Sequence, residues 1–156
     1  MTVVELSKKE LEQYIKDDTV RPHIPANFRV DPNLGRIAYG LKDDNGTVHA
    51  VMCIAKGYGI PTTEEELARI GYEDSMGGPS VIPYTIWSYS QSSGRTLINS
   101  VIDIVRAEFI NRPVEDRPRV VTMSPVTDLA KRFHLRNGAI LLAENPESNN
   151  FEYHIY

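Results

Sequence analysis

The sequence has a single cysteine, Cys53, among its 156 residues. No internal disulfide can form from one thiol, and such scarcity is typical of chains kept in a reducing compartment. Cys53 lies in an apolar, strand-like run, where a small buried side chain fits better than a nucleophile. Long hydrophobic runs are also lacking. AVMCIA at 50–55 and AILLA at 139–143 fall far short of the ~20 residues a membrane helix needs. The opening MTVVELSKKELEQ has charges where a secretory signal needs an apolar stretch. These absences predict a cytoplasmic protein with no membrane partner. Histidine is sparse too, and His23, His49, His134 and His154 are spaced without any metal-ligand pattern, so no metal is expected.

What the chain does have is enough apolar content, 41%, for a core of ordinary size, and a length that suits one domain over 1–156. The net charge of −4 is unevenly spread. Residues 91–140 hold eight Lys/Arg against five Asp/Glu, which leaves nine basic and sixteen acidic residues elsewhere. Solvated helix faces account for many such arginines. As a set, they suit a small anionic ligand better than a nucleic-acid duplex, whose binders usually have a pI above ~9, whereas this chain's is ≈ 5.6.

Periodicity lays out the elements. VVEL at 3–6 reads as a strand, and Ser7 with Glu10 forms a capping box for the helix that follows. Asp17–Leu34 contains three prolines and no sustained period, predicting irregular chain with at most a short helix. Arg36–Leu41 and Val48–Lys56 flank DDNG, a strong hairpin signal. Thr63 caps a short acidic helix, GYEDSMGGPS is a loop, and VIPYTIWSYS is a strand whose Pro83 demands an edge, a bulge or a splayed position. Leu97, Ile98, Val101, Ile102, Val105 and Phe109 recur at three- and four-residue steps, the mark of an amphipathic helix over 94–110. RVVTM is a buried strand, SPVTDLAKRFHL a second helix, and AILLA with FEYHIY a closing antiparallel pair. The order is that of a mixed α/β sheet.

Two junctions can carry chemistry. QSSGRT at 91–96 puts small residues where free N–H groups begin the long helix, a position suited to phosphate. Gly94 lets the backbone approach an anion and Arg95 adds charge, although Ser/Gly-rich starts also serve as plain caps. In TMSPVTDLA, Pro125 at a first helical position makes Ser124 a natural cap as well as a candidate nucleophile. His134, near a helix end, can complement the helix dipole or titrate at a site.

QSSGRT before a long helix resembles the acyl-CoA pyrophosphate loop of the GNAT (GCN5-related N-acetyltransferase) superfamily, Gln/Arg-x-x-Gly-x-Gly/Ala. Gln91 and Gly94 match, while Thr96 departs from the small third position. DLAKRFHLRNGA resembles that superfamily's Ala-x-x-Leu/Phe-Tyr-x-x-x-Gly-Phe pattern through Ala130, Phe133 and Gly138, with His134 where the catalytic tyrosine stands. In wording, YTIWS, VTMSP and FHLRNGA are similar to the catalytic domain of malonyl-CoA decarboxylases, themselves GNAT-fold, whose catalytic serine and histidine fall at Ser124 and His134. Short chains of this kind also resemble phage-encoded members.

The resemblance implies a GNAT-like, mostly antiparallel sheet of about six to seven strands flanked by helices. It implies an acyl-CoA-dependent acyltransferase taking acetyl-CoA or another acyl-CoA, held by Trp87, Ser88, Gln91, Ser92, Ser93, Gly94, Arg95 and Thr96. His134 would face the thioester sulfur as proton donor. A decarboxylase using His134 and Ser124 is the alternative, and a GNAT-shaped binding protein without catalysis is a second. Were 124–134 wholly helical, the two Cα atoms would lie ~15 Å apart, too far for direct contact at ~3 Å. A small-molecule or peptide amine is the expected acceptor, without duplex nucleic acid, for a monomer or homodimer. Glu64, Glu65, Glu66, Glu73 and Asp74 lie where such folds often place a base, and none is assigned.

Overall fold

The computed structural model describes residues 1–71 and 79–155. Expectations that fall on residues 72–78, including Glu73, Asp74 and most of the GYEDSMGGPS loop, lie outside the described residues.

The DDNG turn forms as its chemistry dictates. The Asp43 side chain accepts from the backbone N–H of Asn45 (2.9 Å) and of Thr47 (3.0 Å), and Gly46 takes φ +82°, a backbone state that costs glycine little. On either side run β2 (Arg36–Lys42) and β3 (Val48–Tyr58). β1 (Thr2–Glu5) adds to the outer edge of β2. β4 (Pro79–Ser88) lies against the other side of β3, also antiparallel. The chain then crosses over through helix α4 (Ser93–Phe109) to β5 (Arg119–Val121), which pairs parallel to β4. β6 (Ile140–Glu144) and β7 (Asn149–Tyr153) close the sheet in the order β1-β2-β3-β4-β5-β7-β6. Short helices complete it: α1 (Lys8–Glu12), α2 (Ala26–Arg29), α3 (Glu64–Arg69) and α5 (Asp128–Arg136). The GNAT-like, mostly antiparallel seven-stranded sheet flanked by helices is the expected fold.

Alternation along β3 sends Ala50, Met52 and Ile54 to one face and Val51, Cys53 and Ala55 to the other, all buried. Leu97, Ile98, Val101, Ile102 and Val105 of α4 cover the first face; Leu11 and Leu67 cover the second. Cys53 is therefore the buried hydrophobe its surroundings suggested.

Two features open the sheet. The β3–β4 register slips between Cys53↔Thr85 and Ile54↔Pro83, leaving Tyr84 as the extra residue of a bulge beside Pro83. β5 pairs with β4 only at Ser80↔Arg119 and Val81↔Val120, with one further bond from Met123 N–H to the Pro83 carbonyl (3.0 Å). Beyond that point the strands part.

One expected boundary is corrected. The helix read from Ser124 starts only at Asp128, with Thr127 as its cap accepting from Ala130 N–H (3.2 Å). Ser124 instead exchanges backbone bonds with Asn149 (2.9 Å each way). Because its N–H and C=O were claimed by a neighbouring strand, Pro125 could not turn the chain into helix there.

Candidate active site

The parting of β4 from β5 leaves a cavity of ≈ 400 Å³. Pro83–Ser88 form one wall, Gly94 and Ile98 of α4 another, and Ser124, Ala130, Phe133 and His134 a third. Asp17–Arg21 from the irregular segment complete it. From Thr85 to Ser88, β4 has no strand on its β5 side, so that edge offers ladder positions to an extended, amide-bearing chain, while the Tyr84 carbonyl before it is held by Arg21.

The start of α4 has the features of an anion seat. Ser92 precedes the helix at φ +66°, and no side chain caps it. Ser93 is buried, its hydroxyl donating to the carbonyls of His49 (2.9 Å) and Ser90 (2.7 Å). The N–H groups of Gly94 and Arg95 have no acceptor among the described residues. Free first-turn N–H groups at a helix N-terminus attract phosphate. A Cβ on Gly94 would meet Phe133 and Ser88 at 3.7 Å, ordinary contact, so the glycine is not demanded by the protein's own packing. Gln91, Ser92, Arg95 and Thr96 are exposed, Ser88 is exposed, and Trp87 is buried with its Nε1–H donating to Tyr89 Oη (3.0 Å). Of the residues expected to hold acyl-CoA, Trp87, Ser88 and Gly94 border the cavity itself.

His134 borders it too, and is buried. Its ring stacks on Phe151 (5.1 Å between centroids) and meets Phe133 and Tyr153 edge-on at 5.2 and 5.8 Å. Burial lowers its pKa to about 4, so the imidazole is neutral near pH 7. Nδ1 lies 2.7 Å from Tyr153 Oη. Burial raises the Tyr153 pKa, so the phenol keeps its proton. With no other acceptor for it among the described residues, the Tyr153 hydroxyl donates to Nδ1, which leaves the ring proton on Nε2. The expected proton donor is thus a neutral hydrogen-bond donor. Tyr153 was missed by sequence reasoning; its only trace there was the alternation of FEY, which puts Phe151 and Tyr153 on one face.

Ser124 and His134 share the cavity but not a bond: Ser124 Oγ donates to Thr122 Oγ1 (2.7 Å) while Nδ1 is taken by Tyr153. Among the described residues no cluster could hold a metal, and no helix is long and apolar enough to cross a membrane.

Comparison with known proteins bears on the fold. The chain matches no protein-family model and no curated protein. Solved structures do resemble it. A KacTA–DNA complex shares 16% identity at a TM-score of 0.60, over 97% of this chain and 91% of that one. AtaT complexed with acetyl-methionyl-tRNAfMet shares 15% at 0.58, over 96% and 92%, and AtaTR has been solved bound with AcCoA, sharing 15% at 0.57 over 96% and 91%. A malonyl-CoA decarboxylase from Agrobacterium vitis shares 17% at 0.62, over 93% of this chain but 38% of that one. The GNAT fold expected from the sequence is the fold found.

The same neighbours correct the expected partners. AtaT is solved with a charged tRNA, as an AtaT–AtaR complex bound to DNA, and as a toxin seated on the C-terminus of its antitoxin. Against these neighbours, the expectation of a small-molecule or peptide acceptor, no duplex nucleic acid and a monomer or homodimer is corrected. The duplex was excluded on the overall pI of ≈ 5.6, a criterion that weighs the whole chain and not the basic stretch at 91–140.

Proposed function

We propose that this chain is an acetyl-CoA-dependent N-acetyltransferase acting on the α-amine of an aminoacyl-tRNA, with a protein partner of the antitoxin kind. One observation carries it: Gly94, at the uncapped start of α4, and His134 border the same cavity. A diphosphate held on the free N–H groups of Gly94 and Arg95 would send its thioester along the unpaired edge of β4 toward the imidazole. Acetyl-CoA would supply the activated acetyl group. In this reading Gln91, Ser92, Ser93, Arg95 and Thr96 surround the diphosphate, and Trp87 and Ser88 flank the arm.

His134 then supplies a directed N–H at Nε2. A neutral imidazole is a poor source of a whole proton, but it stabilises charge on the thioester oxygen or the departing sulfur. The proton that sulfur needs comes from the attacking nitrogen, which must shed it to become an amide. The exposed Arg95, Arg132 and Arg136 give the acidic chain a local means of meeting tRNA phosphates. The acceptor class and the protein partner are drawn from the fold neighbours.

Charged bulk tRNA and labelled acetyl-CoA test this. Label should enter acid-precipitable tRNA with one equivalent of thiol released, and His134→Ala should lower the rate by about a hundredfold. Full activity in that variant removes His134 from the chemistry; no transfer to any charged tRNA removes the acceptor. The cavity shared by Ser124 and His134 also favours a decarboxylase reading, so malonyl-CoA is run in parallel. Acetyl-CoA formed without amine would establish that reading instead.

A further inference from the structure

The transfer reading lacks a group that prepares the amine, which arrives as an ammonium ion at neutral pH and cannot attack until it loses a proton. Of the acids offered by the sequence, Glu64–Glu66 do not border the cavity that holds His134, and Glu73 and Asp74 lie outside the described residues. Among the described residues two carboxylates do border it, Asp17 and Asp18. Asp18 is committed to the core: Oδ1 accepts from the N–H groups of Val20 and Arg21, both at 3.0 Å, and Oδ2, which has no hydrogen-bond partner of its own, lies 3.0 Å from the buried Arg29 guanidinium as an ion pair. Its charge is spent on a cation of the core.

Asp17 has no such partner among the described residues. It is half-buried at the rim, and its Oδ2 accepts from Tyr89 Oη at 2.6 Å. Tyr89 Oη in turn accepts from Trp87 Nε1–H at 3.0 Å. This chain of donors joins the 3₁₀ turn Ile15–Asp17 to the end of β4 and fixes the carboxylate's direction while leaving its charge uncompensated. Tyr14 packs beside Tyr89 (6.1 Å between rings), and Asp18, Arg21 and His134 are the other charged or titratable side chains bordering the cavity with Tyr84. Burial and the adjacent carboxylate push the Tyr89 pKa up to about 12, so the phenol remains a donor.

We infer that Asp17 is a catalytic residue of the acceptor half-site, holding the incoming ammonium and taking its proton, with Tyr89 as the positioning residue that aims it. The inference rests on the transferase reading. One ammonium proton passes to Asp17 and on to water. The freed nitrogen attacks the thioester carbon, the C–N bond forms and the C–S bond breaks. A second nitrogen proton goes to sulfur, giving amide and free thiol.

The test follows thiol release from acetyl-CoA between about pH 6 and about pH 9, with methionine amide as the amine, in wild type, Asp17→Asn and Tyr89→Phe. Asparagine keeps an oxygen for Tyr89 and removes the charge. Expected for Asp17→Asn is a loss in kcat/KM for the amine of about tenfold at neutrality, growing toward about a hundredfold near pH 6 as the unprotonated amine becomes scarce. The rate should recover toward wild type above about pH 8, where an α-amine is already unprotonated. Acetyl-CoA affinity by calorimetry should not change. Tyr89→Phe should show a smaller loss with the same recovery. An Asp17→Asn profile parallel to that of wild type overturns the inference and leaves the transferase reading intact. If wild type transfers to no amine, that reading falls, and calorimetry of methionine amide on the CoA-loaded proteins decides Asp17 alone. Weaker binding to Asp17→Asn supports it; equal binding overturns it.

Discussion

Burial of His134 against Phe133, Phe151 and Tyr153 has a thermodynamic consequence besides a chemical one. The folded ring titrates at about 4 against an ordinary 6.5, so the unfolded chain takes up the proton first as pH falls. The stability this confers is complete above about pH 6.5, drains away toward pH 4, and amounts to about 3 kcal/mol at most. Urea midpoints of wild type should therefore fall through that window more steeply than those of His134→Phe. Equal slopes would mean the ring is solvated. At this scale the sequence was legible where a motif carried the residue: His134 stood out because its neighbours matched a pattern. Tyr153 and Asp17 did not, because a phenol nineteen residues away and an acid in a proline-broken segment meet the site only through the fold.

Among the elements, the hairpin, the capping box at Ser7 and the amphipathic α4 were legible because each depends on residues within a few positions of one another. The start of α5 was not. Ser124-Pro125 is locally as good a helix start as Thr127, and the choice was made by Asn149, a partner distant in sequence. The turn into α4 carries a cost of its own. Ser92 holds φ +66°, a state that costs non-glycine residues roughly 1–2 kcal/mol, part of which glycine would return as unfolded-state entropy. Ser92→Gly should raise stability by about 0.5–1 kcal/mol in thermal unfolding, since no Ser92 side-chain bond caps the helix. A drop in stability would show that the left-handed serine is held by contacts worth more than its strain.

For the whole molecule, the buried Asp18–Arg29 pair fastens the segment bearing Asp17 to the sheet. Arg29 also donates to Thr85 (3.2 Å) and to the carbonyls of Ile24 (2.8 Å) and Arg21 (2.6 Å), and Arg21 donates to the Tyr84 carbonyl at the bulge. Asp18→Asn would strand a guanidinium in the core, a loss of about 3–5 kcal/mol out of a total usually near 5–15 kcal/mol. Guanidinium titrations should show that loss, and little change would place Arg29's compensation in its carbonyls alone. Fold class was legible from element order. The wall formed by residues 17–21 was not, because three prolines hid a segment ordered by ion pairs and not by periodicity.

The gap between β4 and β5 opens where main-chain pairing stops, at Met123 and Pro83. A slot formed that way survives wholesale replacement of the residues around it. Substitutions along that edge should therefore change what the opening holds without closing it.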